Sequence, residues 1–465
     1  MNNLKKQILN KTNIVYTLIT LMMLSTIAII APVTTQLNVV ILAWGALYFI
    51  YDFLKEKNCT RSRYSKILII FMVLFLISII INNNANLIGN LKTFGYTGLI
   101  LFVLYSYTKD LSEKTMQSEL YNINTIIIII SSIVAFASLI TFIFLIQFTY
   151  MDTPQGFVYP RHPALWGFYS NPNSGGMVAV VSLIVTFFNI YLCDKLHVKV
   201  LSKRKKYYYY SNILSQWLCL ILTNSRGVLV SLEAFVLFTS FYLFFNILKE
   251  KKKFEIFKRI IISLLLTVFI FLAFNLTVSA SKFGLAFIPN SIQRIFNSEQ
   301  FEIDNNSLVL ERDIVEGDVT SGRMKIWKYG LITLKLNPLF GQGPKNIALA
   351  KHKLYPNDTT FYITTNNMHN GYIQILLSSG ILAFIVFMSF IILIVKDSFK
   401  FLFSENIKVS KSKRNFVFYI VGLIVAIAVY GIFENAILLT GSYITTILWV
   451  YLSYLSKNLD NNLSK

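Results

Sequence analysis

Charge is what this chain of 465 residues has least of. Asp, Glu, Lys and Arg make up 14 % of it, against 55 % hydrophobic residues. A soluble domain carries nearly twice that charge, about 25 %, so a soluble globular fold is excluded. Cysteine is also scarce. Cys59 and Cys193 fall at cytoplasmic positions of the topology below and Cys219 within a span, which leaves no pair for an outer-face disulfide. There is no CxxC pair and no His/Cys cluster with metal-ligand spacing. The short cytoplasmic connections contain neither an Asp-x-Asp pair nor a glycine-rich phosphate loop, so no nucleotide-sugar or ATP site is visible on that face. No Gly/Pro-broken span in one half has a counterpart in the other, as many transporters would show.

What is present is one apolar run after another. Twelve stretches read as membrane spans: 14–31, 37–54, 67–81, 93–108, 123–147, 174–193, 208–223, 227–247, 260–278, 372–395, 416–434 and 441–455. The first follows Lys5, Lys6 and Lys11 and is expected to be a retained anchor, since no small-residue cleavage site follows it. Basic residues set the orientation. With both termini inside, the cytoplasmic segments hold 30 of the 43 Lys and Arg, while the short outer loops hold Lys92, Arg161 and Arg226. The net charge of +21 is thus a topology signal and a match to anionic lipid headgroups, not a nucleic-acid footprint.

The expected architecture is an all-α integral membrane protein with one large, partly helical outer loop. Residues 1–278 carry nine spans, 279–371 form the loop, and 372–465 carry the last three spans and a cytoplasmic tail. A membrane protein with otherwise minimal loops has little need of so long a polar stretch unless it carries function. Within it, Phe283–Phe296 is expected to form a short interfacial helix and 298–318 an acidic solvated excursion. Ser321 is expected to cap a helix with Met324, Trp327, Leu331 and Leu334 on its buried face. Asn337-Pro338 stops that helix, and Gly341-Gln342-Gly343-Pro344 makes a turn.

Several polar residues stand at the outer boundary. His369 closes the long loop, next to Asn370, a candidate for substrate binding. An imidazole suits proton abstraction near neutral pH, and the same position suits a polar helix cap. Arg226 lies in the short turn Asn224-Ser225-Arg226-Gly227. Its planar fork matches a phosphate or pyrophosphate, and it equally matches a snorkelling headgroup anchor. Arg323, in Ser321-Gly322-Arg323, offers a second guanidinium at a helix start. Arg161, Asn171 and Asn173 sit around the turn that opens the sixth span, where amide groups serve hydroxyl-rich ligands or cap a helix. Glu233, seven residues after Arg226, and Glu434 are acids at or inside spans and therefore candidates for a supporting role.

In order, Gly167–Asn173, Ser225-Arg226-Gly227, Ser321-Gly322-Arg323, Pro338–Gly343 and His369-Asn370 with Gly380 resemble the O-antigen ligase/polymerase superfamily over roughly 160–395. The family's second glycine, three residues after the Gly380 position, is Ala383 here, which weakens a ligase assignment. The resemblance implies a bacterial cytoplasmic-membrane glycosyltransferase that uses neither metal nor cofactor. It implies undecaprenyl-pyrophosphate-linked glycans as donor and acceptor, with His369 serving the acceptor hydroxyl and Arg226 and Arg323 the donor pyrophosphate. The expected activity is polymerisation of repeat units into a capsule, O-antigen or other surface polysaccharide, alongside a flippase and a chain-length regulator. The alternatives are a ligase acting on lipid A core or another acceptor, and, more remotely, a lipid-linked oligosaccharide transporter.

Overall fold

The apolar runs become helices, and the basic residues between them mark where helices end. The computed structural model describes residues 8–82, 86–108, 111–158, 163–250, 255–296, 310, 320–404, 407 and 409–463. A helix overlaps each expected span. These are α1 (Lys11–Leu24), α2 (Ala31–Tyr51), α3 (Ser65–Ile81), α4 (Leu87–Leu99), α5 (Glu113–Ile143), α6 (Pro172–Asp194), α7 (Lys203–Leu222), α8 (Arg226–Glu250) and α9 (Ile256–Phe296). After two short helices, α10 (Arg323–Ile332) and α11 (Ile347–Leu354), come α12 (Gly371–Phe403), α13 (Lys411–Tyr430) and α14 (Tyr443–Leu463).

Eight helices among the described residues are long and apolar enough to cross a membrane, not twelve. They are α2, α4, α5, α6, α8, α9, α12 and α13, with α2 and α4 extended by π-helical turns. Helices α1 and α3 are apolar but shorter, and α7 and α14 are not among the eight.

Three local departures have visible causes. The first expected span stops at Leu24, because the backbone beyond it turns aside to pair with another segment: Ala28 N donates to Phe168 O at 2.8 Å, and Ser170 N to Thr26 O at 3.2 Å. Helix α9 runs for 41 residues, through the point where the long loop was expected to begin. And the chain is not wholly helical. An antiparallel sheet, β1 (Gln147–Tyr150), β2 (Thr153–Val158) and β3 (Ala164–Gly167), fills what reads in sequence as a plain outer loop. Its first hairpin turns on Met151 and Asp152, both at positive φ. The acidic excursion expected over 298–318 lies outside the described residues, Leu310 apart.

The chain divides into two compact units. One comprises 1–22, 35–119 and 314–465, the other 23–34 and 120–313. In the first, α3 packs along α12, with Phe71 and Phe387 ring centroids 5.6 Å apart. Phe390 stacks on Trp449 of α14 at 5.7 Å. In the second, α6 is the buried centre. Lipid offers no hydrophobic drive between helices, so polar side chains supply the adhesion. Asn212 donates to Ser182 and Thr186 at 3.0 and 2.9 Å, Ser131 donates to Ser182 at 2.7 Å, and Asn124 meets Asn189 at 3.0 Å.

Candidate active site

Helix α12 is broken at its third turn, and the break is filled by the segment ahead of α11. Gly380 departs from helical geometry at φ 80°, ψ 176°. The amides of Gln342 and Gly343 donate to the carbonyls of Leu377 and Ser378 at 2.8 and 3.0 Å, and Ile381 N returns to Pro338 O at 3.0 Å. Carbonyls left open by the kink are therefore satisfied by the 338–343 segment. Only glycine fits this crossing. A Cβ on Gly380 would lie 2.2 Å from Leu339 O, and one on Gly341 would lie 2.5 Å from Gly380 N. The spacing of Pro338–Gly343 and Gly380 is thus a packing requirement that fixes the start of α12 against its neighbours.

That start holds two of the candidate residues, His369 and Asn370. Asn370 caps α12, its side chain accepting from the amides of Tyr372 and Ile373 at 3.0 Å each. Gly371 N donates to Gly431 O at 2.7 Å, which ties the cap to the turn after α13. His369, one residue earlier, holds a left-handed φ of 47°, a conformation costly for a residue with a Cβ. Its neighbours hold it there. His369 N donates to Asn367 Oδ1 at 2.9 Å, Met368 N to Gln374 Oε1 at 3.0 Å, and Trp327 Nε1 to Met368 O at 2.8 Å.

From this position His369 Nδ1 meets Glu434 Oε2 at 2.9 Å, and Arg323 reaches the other oxygen, Oε1, at 3.0 Å. All three side chains are largely but not fully buried. Burial alone would raise the Glu434 carboxyl. Hydrogen bonding and electrostatic attraction from His369 and Arg323 outweigh it and hold the group below the ordinary carboxylate range. Glu434 sits in the irregular turn after α13, beyond the helix rather than in its last turn.

Arg323 opens α10, whose N-cap is Gly322 at φ 82° with no side-chain cap bond, so Ser321 does not cap it. The buried face of α10 is also rotated from the expected stripe. Ile326 and Gly330 are buried with Trp327 partly so, while Met324 and Leu331 are exposed. Leu334 packs against the same cluster from the following turn.

The second unit holds the other candidates. Asn171 caps α6 by accepting from Ser174 N at 2.8 Å. Asn173 Oδ1 accepts from Ser225 Oγ at 2.7 Å, next to Arg226, the first residue of α8. Asn224, at φ 51°, accepts from Lys282 Nζ at 3.3 Å, and Arg226 and Lys282 line one small pocket. Glu233 lies seven residues along α8, half-buried. Arg161 lies outside the described residues.

The structure therefore joins His369, Arg323 and Glu434, and separately joins Asn173 to the turn that carries Arg226. Lys351 of α11 has no sequence signal beyond its charge. Its side chain is fully buried, Nζ donates to Tyr362 O and Thr365 O at 2.7 and 2.6 Å, and burial lowers its pKa to about 8.

No curated protein matches the chain. Residues 212–388 match the family model described as O-antigen ligase. That interval takes in Arg226, Arg323, the 338–343 segment, His369 and Gly380, and stops short of Glu434. The match places this stretch in the O-antigen ligase/polymerase superfamily.

Proposed function

We propose that the protein polymerises undecaprenyl-pyrophosphate-linked repeat units into a surface polysaccharide at the outer face of the bacterial cytoplasmic membrane. The observation that carries the reading is the His369–Glu434 pair at the start of α12. An ionised Glu434 accepts from Nδ1–H, so the lone pair of His369 lies on Nε2, the nitrogen left for a substrate hydroxyl. As the acceptor sugar's hydroxyl oxygen attacks the anomeric carbon of the growing chain, its proton passes to Nε2. The bond to the pyrophosphate breaks with inversion, and undecaprenyl pyrophosphate departs with the electron pair.

Charge develops on that leaving group, and guanidinium groups absorb it by planar, two-point hydrogen bonding. Arg226 takes that role in this reading. Arg323 combines it with its hold on Glu434. Asn171, Asn173 and Asn370 shape the turns, and Glu233 supports Arg226. In this reading a flippase supplies the lipid-linked units, and a chain-length regulator sets how far the growing chain extends.

The family match fits equally a second reading, transfer of a finished glycan to lipid A core or another acceptor. Lipid-linked glycans from a strain lacking this gene separate the two. Accumulation of single repeat units supports polymerisation, accumulation of full-length chains supports ligation, and an unchanged profile contradicts both.

A further inference from the structure

Two arms reach Glu434, one through His369 and one through Arg323, and both begin at one buried ammonium. Lys351 Nζ donates to Thr365 O at 2.6 Å. Thr365 Oγ1 accepts from Asn367 N at 3.1 Å, and Asn367 Oδ1 accepts from His369 N at 2.9 Å. The same Nζ donates to Tyr362 O at 2.7 Å. The Tyr362 ring lies against Gly322, where an added Cβ would stand 3.2 Å from it, and Gly322 is the N-cap that launches Arg323.

A buried ammonium is expensive, and no carboxylate is among the partners described for this one. An apolar side chain of similar length would avoid that cost and fill the same space. What it lacks is a set of donors at the end of a stem, able to join two carbonyls that converge between α11 and the Phe361–Thr364 turn. Ala348 N, on the same helix, adds a third tie by donating to Asn366 Oδ1 at 2.9 Å.

We propose that Lys351 is a positioning residue for glycan transfer, clamping residues 362–365 so that His369 and Arg323 meet at Glu434. The inference rests on the reading of His369 as the base, and it adds a residue that touches neither substrate. Its removal leaves the imidazole in place but lets it drift, which lowers the rate of the chemical step more than donor binding.

The test uses purified full-length protein in nanodiscs, with lipid-linked repeat units isolated from the deletion strain as substrate. Lys351→Met, Lys351→Gln and His369→Gln are compared per folded enzyme. A misplacement near 1 Å can cost about a hundredfold in rate. Lys351→Met is expected to lower kcat roughly ten- to hundredfold with KM for the donor lipid within about threefold, and Lys351→Gln, which keeps amide donors, to recover part of the loss. Wild-type kcat in Lys351→Met overturns the inference, as does failure of both variants to fold, which would make Lys351 a structural cation. If His369→Gln is inactive while Lys351→Met is fast, only this inference fails. If His369→Gln itself turns over normally, the base assignment fails first.

Discussion

Glu434 Oε2 lies 2.9 Å from His369 Nδ1, joining the turn after α13 to the residue just before the N-cap of α12. In the proposed mechanism the carboxylate fixes which imidazole nitrogen carries the hydrogen and stabilises the imidazolium that forms on proton transfer. Glu434→Gln keeps the shape and removes the charge. It is expected to lower turnover by about ten- to a thousandfold while the protein still inserts and binds donor lipid. A Gln variant with unchanged turnover would reduce the pair to a structural contact.

Gly380 and Gly341 cross without room for a side chain. Gly380→Ala places a Cβ 2.2 Å from Leu339 O at a φ of 80°, so the 338–343 segment has to withdraw. The expected destabilisation is on the order of 1–3 kcal/mol from the backbone conformation, with the clash added to it. Thermal unfolding in detergent measures it. A midpoint equal to that of the wild type would show that the crossing is not tight.

Arg226→Lys should impair transfer nearly as much as Arg226→Ala, because an ammonium cannot reproduce a planar two-point grip on pyrophosphate. Polymer length on gels, normalised to protein level, reads this out. Normal polymer in the Lys variant would make Arg226 a headgroup anchor.

Burial lowers the Lys351 pKa to about 8 from an ordinary 10.5. Between those values the unfolded chain binds the proton that the folded chain has lost, so stability from this group rises with pH across that window. Below about pH 8 both states are protonated and the full cost of the buried charge remains. The wild type should therefore gain stability relative to Lys351→Met as pH rises from about 8 to 10.5. Parallel melting curves of the two proteins across that range would contradict it.

The spans were legible because apolar runs and basic flanks are local properties of the chain. Pairings between distant residues were not. Glu434 shows in sequence as an acid near a span end, and its partner stands 65 residues upstream. The buried face of α10 departs from the stripe of large apolar residues because Gly330 belongs to it. A Cβ there would lie 2.6 Å from Met368 Sδ and 2.9 Å from Leu377 Cδ1, and a pattern built on large apolar residues does not count a glycine in close helix contact. The hairpin at 147–158 carries no turn signal in sequence, because Met151 and Asp152 take the positive φ angles usually marked by Asn-Gly. Lys351 looked like any loop lysine, since its partners are backbone carbonyls.

The most direct measurement is turnover of lipid-linked repeat units by His369→Gln, normalised to folded enzyme. Gln retains hydrogen bonding and cannot accept a proton near neutral pH. Loss of a general base costs about a hundred- to ten-thousandfold, whereas loss of a residue that only shapes the boundary of α12 would cost about 1 kcal/mol of stability and leave turnover intact. The account predicts insertion and donor binding with almost no glycosidic bond formed. Near-normal turnover in this variant would contradict it.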